Sequence, residues 1–185
     1  MLERFFPNEY RKKVADIDIK NLVKLGIKGV LVDIDNTLVD YDQNIDPETF
    51  EWIENIKKEG IIFYLLSNNN KERVDSVGNI FDVKGIYHAG KPQRRGIISA
   101  INELNLKNSE LAIIGDQIFT DVYGGNRLNI YTILVEQMSP KDPILTIWKR
   151  PFERLVVKLY VRDNGKSSKK RDKWKLSSAI SKEVQ

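Results

Sequence analysis

A chain of 185 residues with 41% hydrophobic content is long enough for one domain with a full core. It holds no cysteine, which excludes a disulfide framework and any thiolate metal site and suits a reducing cytosol. The formal net charge of +4 is uneven: residues 149–175 carry 11 Lys and Arg against Glu153, Asp163 and Asp172, residues 176–185 balance, and the first 148 residues are therefore −4. A mildly acidic domain with a basic C-terminal segment points to an anionic partner for that segment, a lipid surface or a nucleic acid. Apolar runs are short and the N-terminus lacks the layout of a signal peptide, so neither export nor spanning is expected.

Residues 1–26 read as an N-terminal arm and a short helix. The arm mixes Leu2, Phe5, Phe6 and Tyr10 with Arg4, Arg11, Lys12 and Lys13 and fits either packing on the domain or touching a surface. From Asp18, the spacing of Ile19, Leu22, Val23 and Leu25 predicts a helix stopped by Gly26. Residues 27–138 read as the main domain. Val30-Leu31-Val32 is a buried strand running into Asp33-Ile34-Asp35-Asn36-Thr37-Leu38. Asp46-Pro47-Glu48 starts a helix, with Asp as cap and Pro at the first position, and Phe50, Ile53 and Ile56 form its inner face. The run Ile61 to Leu66 is a second buried strand, delivering Ser67-Asn68-Asn69-Asn70. A helix over 71–80, a short strand near Gly85-Ile86-Tyr87, and Gly90-Lys91-Pro92 follow.

The spacing of Ile97, Ile98, Ile101 and Leu104 predicts a helix within Pro92 to Leu106. Leu111-Ala112-Ile113-Ile114 is a third strand, leading into Gly115-Asp116 and on to Asp121. A helix over 120–128 and a strand over 131–135 complete the alternation. Continuous apolar strands alternating with helices predict an α/β fold, a Rossmann-like parallel sheet with helices on both faces. In such sheets ligands bind beyond the carboxyl ends of the strands, where each polar cluster falls.

The series Asp33-Ile34-Asp35-Asn36-Thr37-Leu38, Ser67, Lys91-Pro92 and Gly115-Asp116 with Asp121 resembles the four motifs of the haloacid dehalogenase-like phosphohydrolases, over residues 28–137. The Asp-x-Asp-x-Thr form is typical of that family's phosphatases and phosphotransferases. Together with Leu66-Ser67-Asn68-Asn69 and Gly90-Lys91-Pro92, it is similar to the YqeG-like group of IIIA-type phosphatases, whose mitochondrial relatives are phosphatidylglycerophosphate phosphatases. The resemblance implies a Mg²⁺-dependent phosphomonoester hydrolase converting phosphatidylglycerophosphate to phosphatidylglycerol.

The residue types suit that chemistry. Asp33 can accept a phosphoryl group as an aspartyl-phosphate. Asp35 can protonate the leaving alkoxide and later deprotonate water, a role worth ~10²–10⁴-fold. Mg²⁺ suits oxygen ligands from Asp33, the Asp35 backbone carbonyl and Asp116. Thr37, Ser67 and Asn68 are candidate substrate contacts, and Lys91 would hold phosphate and neutralise transition-state charge. Asp121 is open to three uses: metal waters, orientation of Lys91, or a helix cap. The single histidine, His88, reads as structural, Arg94 and Arg95 as solvated helix charges, and Gly124-Gly125 as a close packing point.

Only 28 residues separate Leu38 from Ser67, and 23 separate Ser67 from Lys91. Neither span has room for a cap domain, so the fold is expected to be capless, its site open to a large or surface-borne substrate. Residues 139–162 read as a basic amphipathic segment beginning at Asp142-Pro143, with a stripe of Ile144, Trp148, Phe152, Leu155 and Leu159. Such a stripe suits an anionic membrane or the domain itself. Residues 163–185 read as a basic tail, Lys- and Ser-rich through residue 175 and disordered. The expected location is cytoplasmic and peripheral on the inner face of the membrane, with residues 144–175 as the contact. Two alternatives remain: a phosphatase of a soluble sugar phosphate or nucleotide, and a nucleic-acid or ribosome-binding protein with a vestigial site. The presence of Asp33, Asp35, Ser67, Lys91 and Asp116 together weighs against the last.

Overall fold

The computed structural model describes residues 2–139, 155–156 and 159–160. Six strands form one sheet: β1 (Glu9–Arg11), β2 (Gly29–Val32), β3 (Ile62–Leu66), β4 (Gly85–Ile86), β5 (Leu111–Gly115) and β6 (Tyr131–Val135). Their order is β1-β6-β5-β2-β3-β4, and every pairing is parallel. The helices are α1 (Ile19–Lys24), α2 (Pro47–Lys58), α3 (Lys71–Phe81), α4 (Arg94–Leu104) and α5 (Tyr123–Asn126).

A parallel sheet needs crossover segments on both faces, and the strands supply apolar side chains to both. Val30, Val32, Phe63, Leu65, Ala112 and Ile114 pack on one face with Trp52, Ile53 and Ile56 of α2 and Val74, Val77 and Phe81 of α3. Leu31, Tyr64, Leu66, Leu111 and Ile113 pack on the other, with Ile97 and Ala100 of α4. Each large aliphatic side chain buried this way contributes ~1.5–3 kcal/mol. After β4 the chain crosses back past β2 to build β5, β6 and β1, so the order reverses between β2 and β5. That reversal opens a crevice at their carboxyl ends.

Two predicted details shift. On α2 the buried residues are Thr49, Trp52, Ile53 and Ile56, while Phe50 is exposed and rests against Phe81. The Trp52 indole N–H donates to the Ile17 carbonyl at 2.8 Å, which allows this large ring to be buried with its polar atom satisfied and turns the helix face toward it. The predicted helix over 120–128 is a π-helical turn at Ile118–Val122 followed by the short α5. The N-terminal arm packs on the domain: β1 pairs with β6, and Phe5 stacks on Tyr123 and meets Phe119 edge-on.

No inserted domain stands between Leu38 and Ser67 or between Ser67 and Lys91; loops, α2, β3, α3 and β4 fill both spans. Among the described residues no helix is long and apolar enough to cross a membrane. Of the expected C-terminal stripe, Ile144, Trp148 and Phe152 lie outside the described residues, as do the start at Asp142 and the tail over 163–185. Leu155 is exposed, while its neighbour Val156 is buried against Ile118, Val122 and Leu134, and Tyr160 meets Phe6 edge-on. Among the described residues, contact with the domain runs through Val156 and Tyr160, four residues apart, while of the expected stripe Leu155 is exposed and Leu159 half-buried.

Candidate active site

The ladder of β2 continues one residue beyond the strand, with the Asp33 N–H donating to the Ile114 carbonyl at 2.9 Å. The chain then turns tightly. The Ile34 carbonyl accepts from the N–H groups of Thr37, Leu38 and Val39 at 3.3, 2.9 and 3.1 Å, and Asn36 takes a left-handed φ of 59°. That conformation suits Asn better than most residues. Ile34 and Leu38 are fully buried and root the turn, and Asp33 and Thr37 are buried polar residues within it.

Lys91 is the electrostatic centre. Its Nζ lies 2.8 Å from Asp33 Oδ1 and 2.6 Å from Asp121 Oδ1, with all three side chains almost wholly removed from solvent. Burial disfavours its charge, but Asp121 and Asp33 outweigh burial and hold it above the ordinary lysine value. Burial pushes the Asp33 carboxyl up to about 6, against the opposing pull of Lys91 and with the help of the Asp121 charge. The other Asp121 oxygen accepts from the Gln117 N–H at 3.2 Å and the Thr120 hydroxyl at 3.1 Å. Both oxygens of Asp121 are thus engaged, and of the three uses open to it the geometry matches orientation of Lys91. Gly115 makes room for this: a Cβ there would lie on the Asp121 carboxylate.

Asp33, Asp116 and Asp121 bring one carboxylate oxygen each within 4.8 Å of one another, and all three are buried. Lys91 answers the carboxylates of Asp33 and Asp121, and the donors that Asp33, Asp116 and Asp121 bring together are all hard oxygens. The residues fit a hard divalent cation such as Mg²⁺.

Ser67 is buried at the end of β3; its hydroxyl oxygen accepts from the Asn69 N–H at 3.1 Å, which leaves its own proton available for donation. The buried Thr37 hydroxyl has no hydrogen-bond partner among the described residues, as expected of a group that receives a ligand. Asn68, expected to touch substrate, instead spends its side-chain amide on the backbone of Lys91. Its Oδ1 accepts from the Lys91 N–H at 2.7 Å and its Nδ2 donates to the Lys91 carbonyl at 3.1 Å. Asp35 differs from Asp33: its side chain is 47% exposed, at the mouth of the crevice. Arg73 donates to Asp35 Oδ1 from Nε at 3.3 Å and Nη2 at 2.9 Å, and the Asn69 amide donates to Oδ2.

Family models described as haloacid dehalogenase-like hydrolase and HAD-hydrolase-like match residues 30–89 and 88–142. The chain is 38% identical over 159 residues to a Bacillus subtilis protein named Probable phosphatase YqeG, covering 85% of this chain and 92% of that one. The chain belongs to the YqeG-like branch of the haloacid dehalogenase-like hydrolases. A second relative, Phosphatidylglycerophosphate phosphatase 1 (chloroplastic/mitochondrial) of Arabidopsis thaliana, is 28% identical over 84% of this chain, which spans 48% of that protein. Two solved structures share the fold. A Cytophaga hutchinsonii protein named as a possible sugar phosphatase of the HAD superfamily has a TM-score of 0.57 at 12% identity, covering 76% of this chain and 94% of its own. An uncharacterized Listeria monocytogenes protein has a TM-score of 0.51 at 16% identity, covering 71% and 99%.

This YqeG-like hydrolase is thus a phosphoric monoester hydrolase. Sequence reasoning missed Arg73, Asn69, Gln117 and Thr120 in its site. Arg73 and Asn69 could have been suspected, because both lie within six residues of Ser67 at the same sheet edge; nothing in the pattern marks the other two. His88 takes a φ of 47° and its N–H donates to the Asn69 carbonyl at 2.8 Å, matching its structural reading. Arg94 and Arg95 are exposed at the start of α4, and a Cβ on Gly125 would collide with Thr132, so Gly125 is a packing point.

Proposed function

We propose that this phosphatase hydrolyses phosphatidylglycerophosphate through an aspartyl-phosphate on Asp33. The observation that carries the covalent reading is the Lys91 ammonium held between Asp33 and Asp121. A fixed positive charge beside the candidate nucleophile supports a reading in which Lys91 meets the charge that gathers on the phosphoryl oxygens. An Asp33 oxygen attacks phosphorus and the bond to the ester oxygen breaks. The departing oxygen takes a proton from Asp35, and Ser67, Thr37 and Lys91 donate to the phosphoryl oxygens. Asp35 then accepts a proton from water as that water attacks phosphorus, and Asp33 is regenerated as inorganic phosphate leaves. Mg²⁺ held by Asp33, the Asp35 carbonyl and Asp116 would neutralise the phosphate charge that otherwise repels this acidic pocket.

Three observations support a lipid substrate: the capless crevice, the name of the plant relative, and the basic residues 149–175. In this reading residues 27–138 carry the chemistry, and residues 139–175 rest on anionic lipid at the inner face of the membrane, with the exposed Leu155 on the outward side. The test measures phosphate release from phosphatidylglycerophosphate in mixed micelles. Wild type should turn over, stop in EDTA, recover with Mg²⁺, and fall to background as Asp33→Asn. Turnover surviving Asp33→Asn sinks the covalent route, and equal turnover of sugar phosphates in solution sinks the lipid substrate.

A further inference from the structure

The geometry points to Arg73 as the positioning residue for Asp35, taking over in this capless enzyme the task of holding the mouth of the site in shape. The inference rests on the reading of Asp35 as proton donor and acceptor. Asp35 is the exposed member of the acidic pair, and a half-solvated carboxylate on a turn has no packing to hold its rotamer. Arg73 supplies that restraint. Its Nε and Nη2 converge on Asp35 Oδ1 at 3.3 and 2.9 Å, and Nη1 donates to the Gln43 side-chain carbonyl. One planar guanidinium therefore ties α3 to two positions of the β2–α2 loop, a span that its fork geometry allows and a single ammonium does not.

The clamp is itself anchored. Arg73 lies in the first turn of α3, where its N–H donates to the Asn70 cap at 3.1 Å, and its side chain is 20% exposed. Gln43 sits in a loop closed by Asp40, whose carboxylate accepts from the Asn44 N–H at 2.7 Å and the Asn44 amide at 3.0 Å. Asn69 takes the second Asp35 oxygen, and its backbone is pinned on both sides, by Ser67 Oγ at 3.1 Å and the His88 N–H at 2.8 Å. The two oxygens of Asp35 are consequently unequal. Oδ1 is anchored by a charged donor, while Oδ2 holds only a neutral amide, so Oδ2 is the oxygen that exchanges its partner for the ester oxygen or water.

The test uses full-length enzyme with Mg²⁺ and two aryl phosphates of similar size, phenyl phosphate and 4-nitrophenyl phosphate. The kcat/KM for each reports phosphoryl transfer to Asp33 and not later hydrolysis. Phenoxide needs a proton as it leaves and 4-nitrophenoxide scarcely does. Asp35→Asn should lower kcat/KM for phenyl phosphate by ~10²-fold or more and spare 4-nitrophenyl phosphate. Arg73→Gln should show the same selective loss, about tenfold or more for phenyl phosphate and within about twofold for the other, and should add nothing in the Asp35→Asn background. Arg73→Lys should fall between Arg73→Gln and wild type, and it keeps the test available if Arg73→Gln does not fold.

Equal loss on both substrates in the Arg73 variants would overturn the inference, because that is the signature of a phosphate-binding or purely structural cation. If Asp35→Asn discriminates and the Arg73 variants do not, Arg73 alone is overturned. If Asp35→Asn loses both substrates equally, the acid role itself falls, and the clamp with it.

Discussion

Asp121→Asn is the sharpest probe of the buried charge cluster. The substitution keeps shape and removes one of the two anions facing Lys91 Nζ, at 2.6 Å, in a place where Lys91 and Asp121 side chains are 2% and 1% exposed. Leaving a buried charge short of its partner costs ~3–5 kcal/mol. Lys91 retains Asp33 at 2.8 Å, which argues for the low end, about 3 kcal/mol. A domain of this size loses ~2–4 °C of Tm per kcal/mol, so the expected fall is about 6–12 °C by circular dichroism. Activity on 4-nitrophenyl phosphate should fall ~10²-fold, because Lys91 is drawn onto Asp33 and away from where the phosphoryl oxygens sit. Melting in EDTA separates the roles. A partner of Lys91 gives the same destabilisation with and without the chelator, whereas a metal ligand loses its effect once the metal is stripped. A Tm loss that disappears in EDTA, or no loss at all, would refute the assignment.

Asn68→Ala should cost about 1–3 kcal/mol in urea unfolding, because it deprives both the N–H and the carbonyl of Lys91 of their 2.7 and 3.1 Å partners. Glu110 tests linkage. The Lys28 ammonium at 2.7 Å, with the Lys107 N–H, lowers its carboxyl below the ordinary 4.5. A lowered carboxyl contributes stability above its unfolded value that is lost as pH falls through the folded one. Glu110→Gln should therefore melt below wild type at pH 7, by under about 1 kcal/mol because Lys28 is exposed, and the two curves should converge as pH falls through the lowered Glu110 value.

The strands β2, β3 and β5 were legible as unbroken apolar runs, and β6 as a β-branched and aromatic run interrupted only by Thr132, the signature of strands buried on both faces. The cap of α2 was legible from Asp46, whose side chain accepts from the Glu48 N–H as its position implies, and the start of α1 from the apolar spacing after Asp18, whose side chain accepts from the Asn21 N–H. β1 was not: Glu9-Tyr10-Arg11 alternates charge around one aromatic ring, and its strand character comes only from pairing with β6. Nor was the face of α2, where the choice of Trp52 over Phe50 depends on a carbonyl at Ile17, 35 residues away.

By itself the sequence determined the α/β class and the lack of room for a cap, and it offered Asp33, Asp35, Thr37, Ser67, Asn68, Lys91, Asp116 and Asp121 as the candidate set. Those depend on local pattern: strand-ending apolar runs, residue types that carry phosphoryl chemistry, and the number of residues between them. The tertiary structure alone decided what each polar atom does. It put Asn68 on the Lys91 backbone, both oxygens of Asp121 among Lys91, Gln117 and Thr120, and Arg73 on Asp35. A hydrogen bond is settled within a few tenths of an ångström, between groups that may stand 30 or more residues apart. No spacing along one chain encodes a distance that the packing of α3, β4 and the π-helical turn must set.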